Sequence, residues 1–138
     1  EGSVTIDGKD GSQLVSGLLS ALPLLRGQSE IRLESPKSIP YIFMTLDVLR
    51  RFGVSITCEM EGGEDFAETQ DWNLCEAMTF RIKGGQRYKA ATFDLEADWS
   101  AGAPFLVAGA IFGQGHVKGL DTKSLQADLA ILDITPIS

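Results

Sequence analysis

The chain has 138 residues, 43% of them hydrophobic, and a formal net charge of −7. That length suits a packed core burying about 68% of the surface an unfolded chain exposes, while the acid excess argues against nucleic acid, whose binding rests on phosphate neutralisation by Lys and Arg. No apolar run approaches the ~20 residues of a membrane span, no basic-then-apolar secretory leader is visible, and Cys58 and Cys75, without partner histidines, suggest neither a disulfide framework nor a zinc site.

In chain order, Val4-Thr5-Ile6 reads as a strand stopped by Asp7-Gly8. Leu14, Val15, Leu18, Leu19 and Leu22 then recur at helical spacing, closed by Arg26-Gly27. Ile31-Arg32-Leu33 alternates as a strand. A second helix is expected from Ser38 as a candidate cap and Pro40 in the first turn, through Ile42, Leu46 and Leu49 to Arg50-Arg51-Phe52-Gly53. Strands follow at residues 54–58 and 78–82, separated by an acidic stretch, residues 59–76, with seven acids and no base. That stretch is expected to be a solvated loop, with Trp72 and Leu74 tucked against the sheet. The turn Gly84-Gly85-Gln86 leads to a further β-type run over residues 88–95. Residues 1–95 therefore read β-α-β-α-β-β.

The pattern then restarts. Residues 93–96 read as a strand, 101–112 as a small-residue helix ending at Gly113, 116–118 as a strand and 125–132 as another helix. "GSQLVSGLLSAL" followed by "SEIRL" is echoed by "GAPFLVAGAIFG" followed by "GHVKGL" about 90 residues later, which suggests one supersecondary unit used twice, the second copy incomplete. The fold class expected is α/β (α+β).

Two stretches carry chemistry. In "DGKDGSQLVSGLL" a glycine-broken turn runs into a helix with Ser12 and Gln13 at the join. First-turn amides lack partners within a helix, the helix dipole adds partial positive charge, and Gly11 lets backbone approach closely, so this end suits a phosphate. A plain cap by Ser12 or Asp10 satisfies the same pattern. In "SPKSIPY" hydroxyls again stand at a helix start, beside Lys37 and Tyr41. Taken alone this too reads as a capped helix, with Pro40 fixing φ and Tyr41 packed on the sheet; because consecutive α/β units tend to point equivalent helix ends the same way, the pair adds weight to a shared anion site beside the capping reading.

"DGKDGSQLVSGLLSALPLL", "SIPYIFMTLDVLRRFGV", "FRIKGGQRYKAATFDLEADWSAGAPFLVAGAI" and "KSLQAD" together resemble, in order and spacing over essentially the whole chain, the 5-enolpyruvylshikimate-3-phosphate synthase (3-phosphoshikimate 1-carboxyvinyltransferase) family. The resemblance implies two domains, each of three β-α-β-α-β-β units, with an active site in the cleft between them. It implies transfer of the enolpyruvyl group of phosphoenolpyruvate to the 5-hydroxyl of shikimate 3-phosphate through a tetrahedral intermediate, in the shikimate pathway. The family's Ser-Ser-Gln motif falls on Gly11, Ser12 and Gln13, which would hold the shikimate phosphate and reach between both substrates. Gly11 departs from it by lacking a hydroxyl. The Ser-Lys-Pro-Tyr motif falls on Ser38, Ile39, Pro40 and Tyr41, with Ser38 on the phosphate, Tyr41 on the shikimate ring, and Ile39 in place of the lysine.

Domain organisation is then expected as residues 1–94, one complete unit of the first domain, and 95–138, the truncated start of the second. The expected partners are the two small-molecule substrates, with no cofactor, no metal, no nucleic acid and no membrane, in a cytoplasmic monomer. Near the serines only Lys9 and Lys37 supply cations, against 19 carboxylates in the chain, so the isolated chain is expected to turn over nothing. Glu96, Asp98 and Asp128 read as structural, and His116 as a surface or strand-edge residue. Competing expectations are a stand-alone, non-catalytic module binding an anion or a protein, and a piece of the related transferase acting on UDP-N-acetylglucosamine.

Overall fold

A computed structural model describes residues 2–126. It divides into two compact units, residues 1–91 and 92–138. In the first, β1 (Gly2–Asp7) leads through a short 3-10 turn to α1 (Gln13–Ala21), β2 (Gln28–Glu34) and α2 (Ile39–Arg51). Then come β3 (Ile56–Gly62), α3 (Glu64–Thr69), a 3-10 turn at Trp72–Leu74 and β4 (Cys75–Lys83). The sheet order is β1-β2-β4-β3, with β1 and β2 parallel and the other pairs antiparallel. A parallel pair needs a crossover, and α1 with its flanking turns is that crossover.

Alternation along the strands decides which face is covered. Ile31 and Leu33 on β2 and Met78, Phe80 and Ile82 on β4 are fully or almost fully buried. They form one core with Val15 and Leu19 of α1 and Ile39, Ile42 and Leu49 of α2. The intervening residues form a second face, charged apart from Ala77 and Thr79 of β4, which are also buried. There the Arg32 guanidinium donates to both oxygens of Glu61 at 3.0 and 2.9 Å, and Arg81 bridges Glu30 and Glu59. One covered and one solvated face is the ordinary economy of a sheet with antiparallel pairs. The two arginines spread their charge over carboxylates from β2 and β3.

The β-α-β-α-β-β reading of the first 95 residues matches this unit, with three corrections. The acidic stretch is not a loop. Its first residues extend β3, Glu64 and Asp65 stand in the first turn of α3, where acids complement the helix dipole, and Phe66 is buried in the core. Trp72 is half-buried and stacks on Phe43 of α2, with ring centroids 5.0 Å apart, whereas Leu74 is exposed. The run at residues 88–95 is not a strand. The Lys89 amide donates to the Phe52 carbonyl just past α2 (2.8 Å), so that donor is committed to a helix end rather than to a sheet edge.

In the second unit α4 (Trp99–Phe112) begins at Asp98, whose carboxylate accepts the Ser100 amide at 2.8 Å. Trp99 is buried. Its amide donates to Gln126 Oε1 and its indole to the Asp121 carbonyl, while Gln126 Nε2 donates to the Ala97 carbonyl. The strands expected at residues 93–96 and 116–118 do not form. A strand needs a neighbouring edge, and among the described residues of this unit there is none. His116 is an exposed residue outside regular structure. Leu125 and Gln126 are not helical, and the rest of the helix expected over 125–132, with Ala127 and Asp128, lies outside the described residues.

Candidate functional site

The parallel pairing of β1 with β2, ending in register at Asp7 opposite Glu34, sends both chains out at the same edge of the sheet. The two helix starts follow from that. Gly8, the first residue past β1, lies against the backbone of Glu34, Ser35 and Pro36. One turn into α1, the Ser16 hydroxyl is 2.9 Å from that of Thr45 on α2. Thr45 in turn donates to the Tyr41 carbonyl at 3.1 Å. The structure thus brings Gly11, Ser12 and Gln13 to the same edge as Ser38 and Tyr41.

Each residue is set by its local chain. Gly11 has φ +96°, a left-handed conformation open to glycine at little cost, and a Cβ there would meet Gln13 Oε1 at 2.7 Å. The glycine at this position therefore has a backbone cause, the positive φ, while the Gln13 side-chain end could swing aside. Ser12 occupies the N-cap position of α1 and is 8% exposed, its carbonyl accepting the Ser16 amide at 2.9 Å. Ser38 occupies the same position on α2, exposed and left-handed at φ 55°. Neither serine makes a side-chain capping bond. The capping expected of Ser12 and Ser38 is thus positional only, and neither hydroxyl is spent on its own helix. The side-chain cap in this region belongs to Asp7, which accepts the Lys9 amide at 3.1 Å.

The donors on offer are unequal. The first-turn amides of α1 have no acceptors within the helix. In α2, Pro40 lacks an amide, and the amides of Tyr41 and Ile42 both go to the Ser38 carbonyl, at 3.0 and 3.4 Å. The cations are unequal as well. Lys9 pairs with Asp7 at 3.0 Å. Hydrogen bonds from Lys9 hold the Asp7 carboxyl below its ordinary range, and Lys37 adds a weaker electrostatic pull in the same direction. That second pull puts both lysines within electrostatic reach of one carboxylate at the edge where the helices start.

Sequence reasoning missed one wall. Residues 70–73 face Pro36, Lys37, Ser38, Ile39 and Pro40 across an open hollow of about 680 Å³. Ser38 lines it; Gly11, Ser12, Gln13 and Tyr41 do not. Two signals for this excursion were in the sequence: Phe66 among the acids, and acids at the start of α3. Among the described residues, no group of three or more His, Cys, Asp and Glu could hold a metal ion, and no helix is long and apolar enough to cross a membrane. Cys58 and Cys75 are free thiols, and burial first, then neighbouring charge, pushes Cys58 up to about 11.

A sequence model of the EPSP synthase family (3-phosphoshikimate 1-carboxyvinyltransferase) matches residues 1–136. Among curated proteins, the 3-phosphoshikimate 1-carboxyvinyltransferase of Clostridium acetobutylicum is 35% identical over 134 residues, covering 96% of this chain and 28% of the relative. That of Clostridium kluyveri is 39% identical over 135 residues with the same coverage. That of Archaeoglobus fulgidus is 39% identical over 123 residues, covering 89% of this chain and 25% of the relative. The chain thus spans little more than a quarter of the length of the curated relatives it matches.

Proposed function

Because the chain belongs to the EPSP synthase family, we propose that its paired helix starts form part of a shikimate 3-phosphate site. The parent reaction is transfer of the enolpyruvyl group of phosphoenolpyruvate to the 5-hydroxyl of shikimate 3-phosphate, with release of phosphate. In this reading the Ser12 and Ser38 hydroxyls and the first-turn amides of α1 take the phosphate oxygens, beside Gly11, whose own amide donates to the Gly8 carbonyl at 3.2 Å. Gln13 reaches between the two substrates, and Tyr41 lies on the shikimate ring. Residues 1–94 are a repeat unit of the first domain and 95–138 the start of the second. The parent enzyme works in the cytoplasm, as a monomer, on these small molecules rather than on nucleic acid.

The observation that carries this is the convergence of two serine-bearing helix starts on one sheet edge, with neither hydroxyl used as a cap. Helix N-termini with hydroxyls beside them suit a phosphate, and where the serine oxygen accepts no first-turn amide, that amide is left for a ligand along with the hydroxyl donor. The same inventory argues against turnover by this chain. Two phosphorylated substrates require several cations arranged around the charge that develops in the transition state. Near the serines stand Lys9, already paired with Asp7, and Lys37. The chain therefore binds one substrate and releases no phosphate from the pair.

The test is a titration of the ¹⁵N-labelled 138-residue chain with shikimate 3-phosphate. Shifts centred on the amides of residues 11–13 and 38 are expected, with weak affinity. If those amides stay in place at millimolar ligand while the rest of the spectrum is that of a folded protein, the site assignment fails. Phosphate release from both substrates together would refute the inactivity.

A further inference from the structure

We infer that Gly8 is a positioning residue for this site, fixing the separation of the two helix starts by letting the chain leaving β1 pack directly on the chain leaving β2. The inference rests on the reading of the site given above.

Gly8 is not among the glycines with positive φ, so no left-handed turn explains it. Close approach does. A Cβ at Gly8 would stand 2.8 Å from the Ser35 oxygen, 2.9 Å from Pro36 Cα and 3.0 Å from the Glu34 oxygen. All three are backbone atoms, so no side chain can swing aside. By contrast, the Cβ of an alanine at Gly53 would press only on the flexible Lys89 side chain.

The loop on the far side of that contact is itself held in costly conformations. Ser35 (φ 48°) and Ser38 (φ 55°) are non-glycine residues in the left-handed region and bracket Pro36-Lys37. Such residues persist where the surroundings over-determine them. The supports here are the Ser35 amide on the Glu76 carbonyl (2.9 Å), the Tyr41 amide on the Ser38 carbonyl, and the Gly8 contact. Of these three, the last ties the loop to the segment that carries Gly11 and Ser12, beside the Lys37 pull on Asp7 and the Ser16–Thr45 contact one turn further into the helices. Moving the loop to ordinary van der Waals separation would displace it by roughly half an ångström or more. Hydrogen bonds to one phosphate from both starts tolerate little of that, since sites must be held within about 0.5 Å.

The experiment compares the wild-type chain with Gly8→Ala, Pro36→Gly and Gly53→Ala, titrated with shikimate 3-phosphate and, separately, inorganic phosphate, reading the amides of residues 12 and 38. In wild type both amides are expected to follow one binding curve. Gly8→Ala should bind shikimate 3-phosphate on the order of tenfold more weakly, with the residue-38 response reduced more than that of residue 12. Pro36→Gly keeps the contacting Cα but frees the φ that proline fixes in the loop beside it, without adding atoms, and should lose affinity severalfold, so the inference stays testable if Gly8→Ala does not fold. Gly53→Ala, at the other end of α2, should lower stability and leave affinity unchanged, which separates positioning from general destabilisation. Wild-type affinity and paired responses in Gly8→Ala, or in Pro36→Gly if Gly8→Ala is unfolded, would overturn the inference and leave the site standing. A silent wild type would instead remove the site reading, and the inference with it.

Discussion

Gln86 closes the first unit, and its removal can be worked through atom by atom. Its side-chain carbonyl accepts the Ser55 amide at 2.8 Å, and its side-chain nitrogen donates to the Ser55 carbonyl at 3.0 Å and the Lys83 carbonyl at 2.6 Å. Together these bonds tie the start of β3 to the end of β4. Gln86→Ala loses all three. Each is worth about 0.5–1.5 kcal/mol net, and water reaches the half-buried site, so the low end applies and the cost is about 1.5 kcal/mol. Gln86→Glu keeps the acceptor for Ser55 but turns a carboxylate toward two carbonyl oxygens. At pH 7 it should be at least as destabilised as the alanine variant. Facing acceptors raises the folded-state pKa of the introduced carboxyl above the unfolded value of about 4.3. The extra penalty of Gln86→Glu is therefore present above that folded pKa and disappears as pH falls to the unfolded value. Urea denaturation measures both effects. With a slope of about 1–3 kcal/mol/M, the alanine variant should lose roughly 0.5–1.5 M in midpoint. If Gln86→Glu is more stable than Gln86→Ala at pH 7, or gains nothing relative to it near pH 4, the hydrogen-bond argument is wrong.

Three other outcomes follow from the same structure. Ser12→Ala and Ser38→Ala should each change stability by less than about 0.5 kcal/mol, against the ~1 kcal/mol usual for losing an N-cap, because neither hydroxyl caps its helix; a larger loss in urea melts would contradict the geometry. Hydrogen bonds from Arg32 to Glu61, from Arg81 to Glu59 and from Arg50 and Arg51 to Asp47 hold those carboxyls below their ordinary values of 4.5 and 3.8. Stability from these groups is complete above pH 4.5 and should decline as pH falls through the lowered values, and Arg32→Ala should flatten that decline. Burial raises both thiols, Cys58 to about 11, so iodoacetamide at pH 8 should modify neither on the timescale on which it modifies both in urea; rapid native labelling of Cys58 would show that β3 opens.

The motif "GGQRY" was legible as a turn and as part of a family pattern, but its physical work was not. The amides of Gly84, Gly85 and Gln86 donate in succession to the carbonyls of Gly27, Leu25 and Pro23, at 2.7, 2.7 and 2.9 Å. The Tyr88 hydroxyl donates to the Ser20 carbonyl at 2.6 Å. A Cβ at Gly84 would run into the Gly27 and Leu25 oxygens. This segment seals the end of the α1 crossover, a contact between residues some sixty apart in sequence that no local pattern announces. The acidic stretch was misread for a related reason. Its charge argues for a solvated loop, while Phe66 and Cys75 are buried in the core and Trp72 stacks on Phe43 of α2.

Local order and periodicity determined most of the first unit. Leu and Ile at helical spacing fixed α1 and α2, alternation fixed β2, a short apolar run marked β4, and serines before each helix marked the candidate site, because these signals act between residues a few positions apart. Tertiary structure alone decided that the two helix starts share an edge, that Lys37 acts on Asp7, that the serines leave their helices uncapped, and that residues 93–96 and 116–118 are not strands. Each of those depends on which backbone atoms a distant segment brings near, through parallel pairing of β1 with β2, the close approach at Gly8, or the lack of an adjacent strand edge among the described residues of the second unit. Proximity of that kind is a property of the folded chain and is not carried by any window of its sequence.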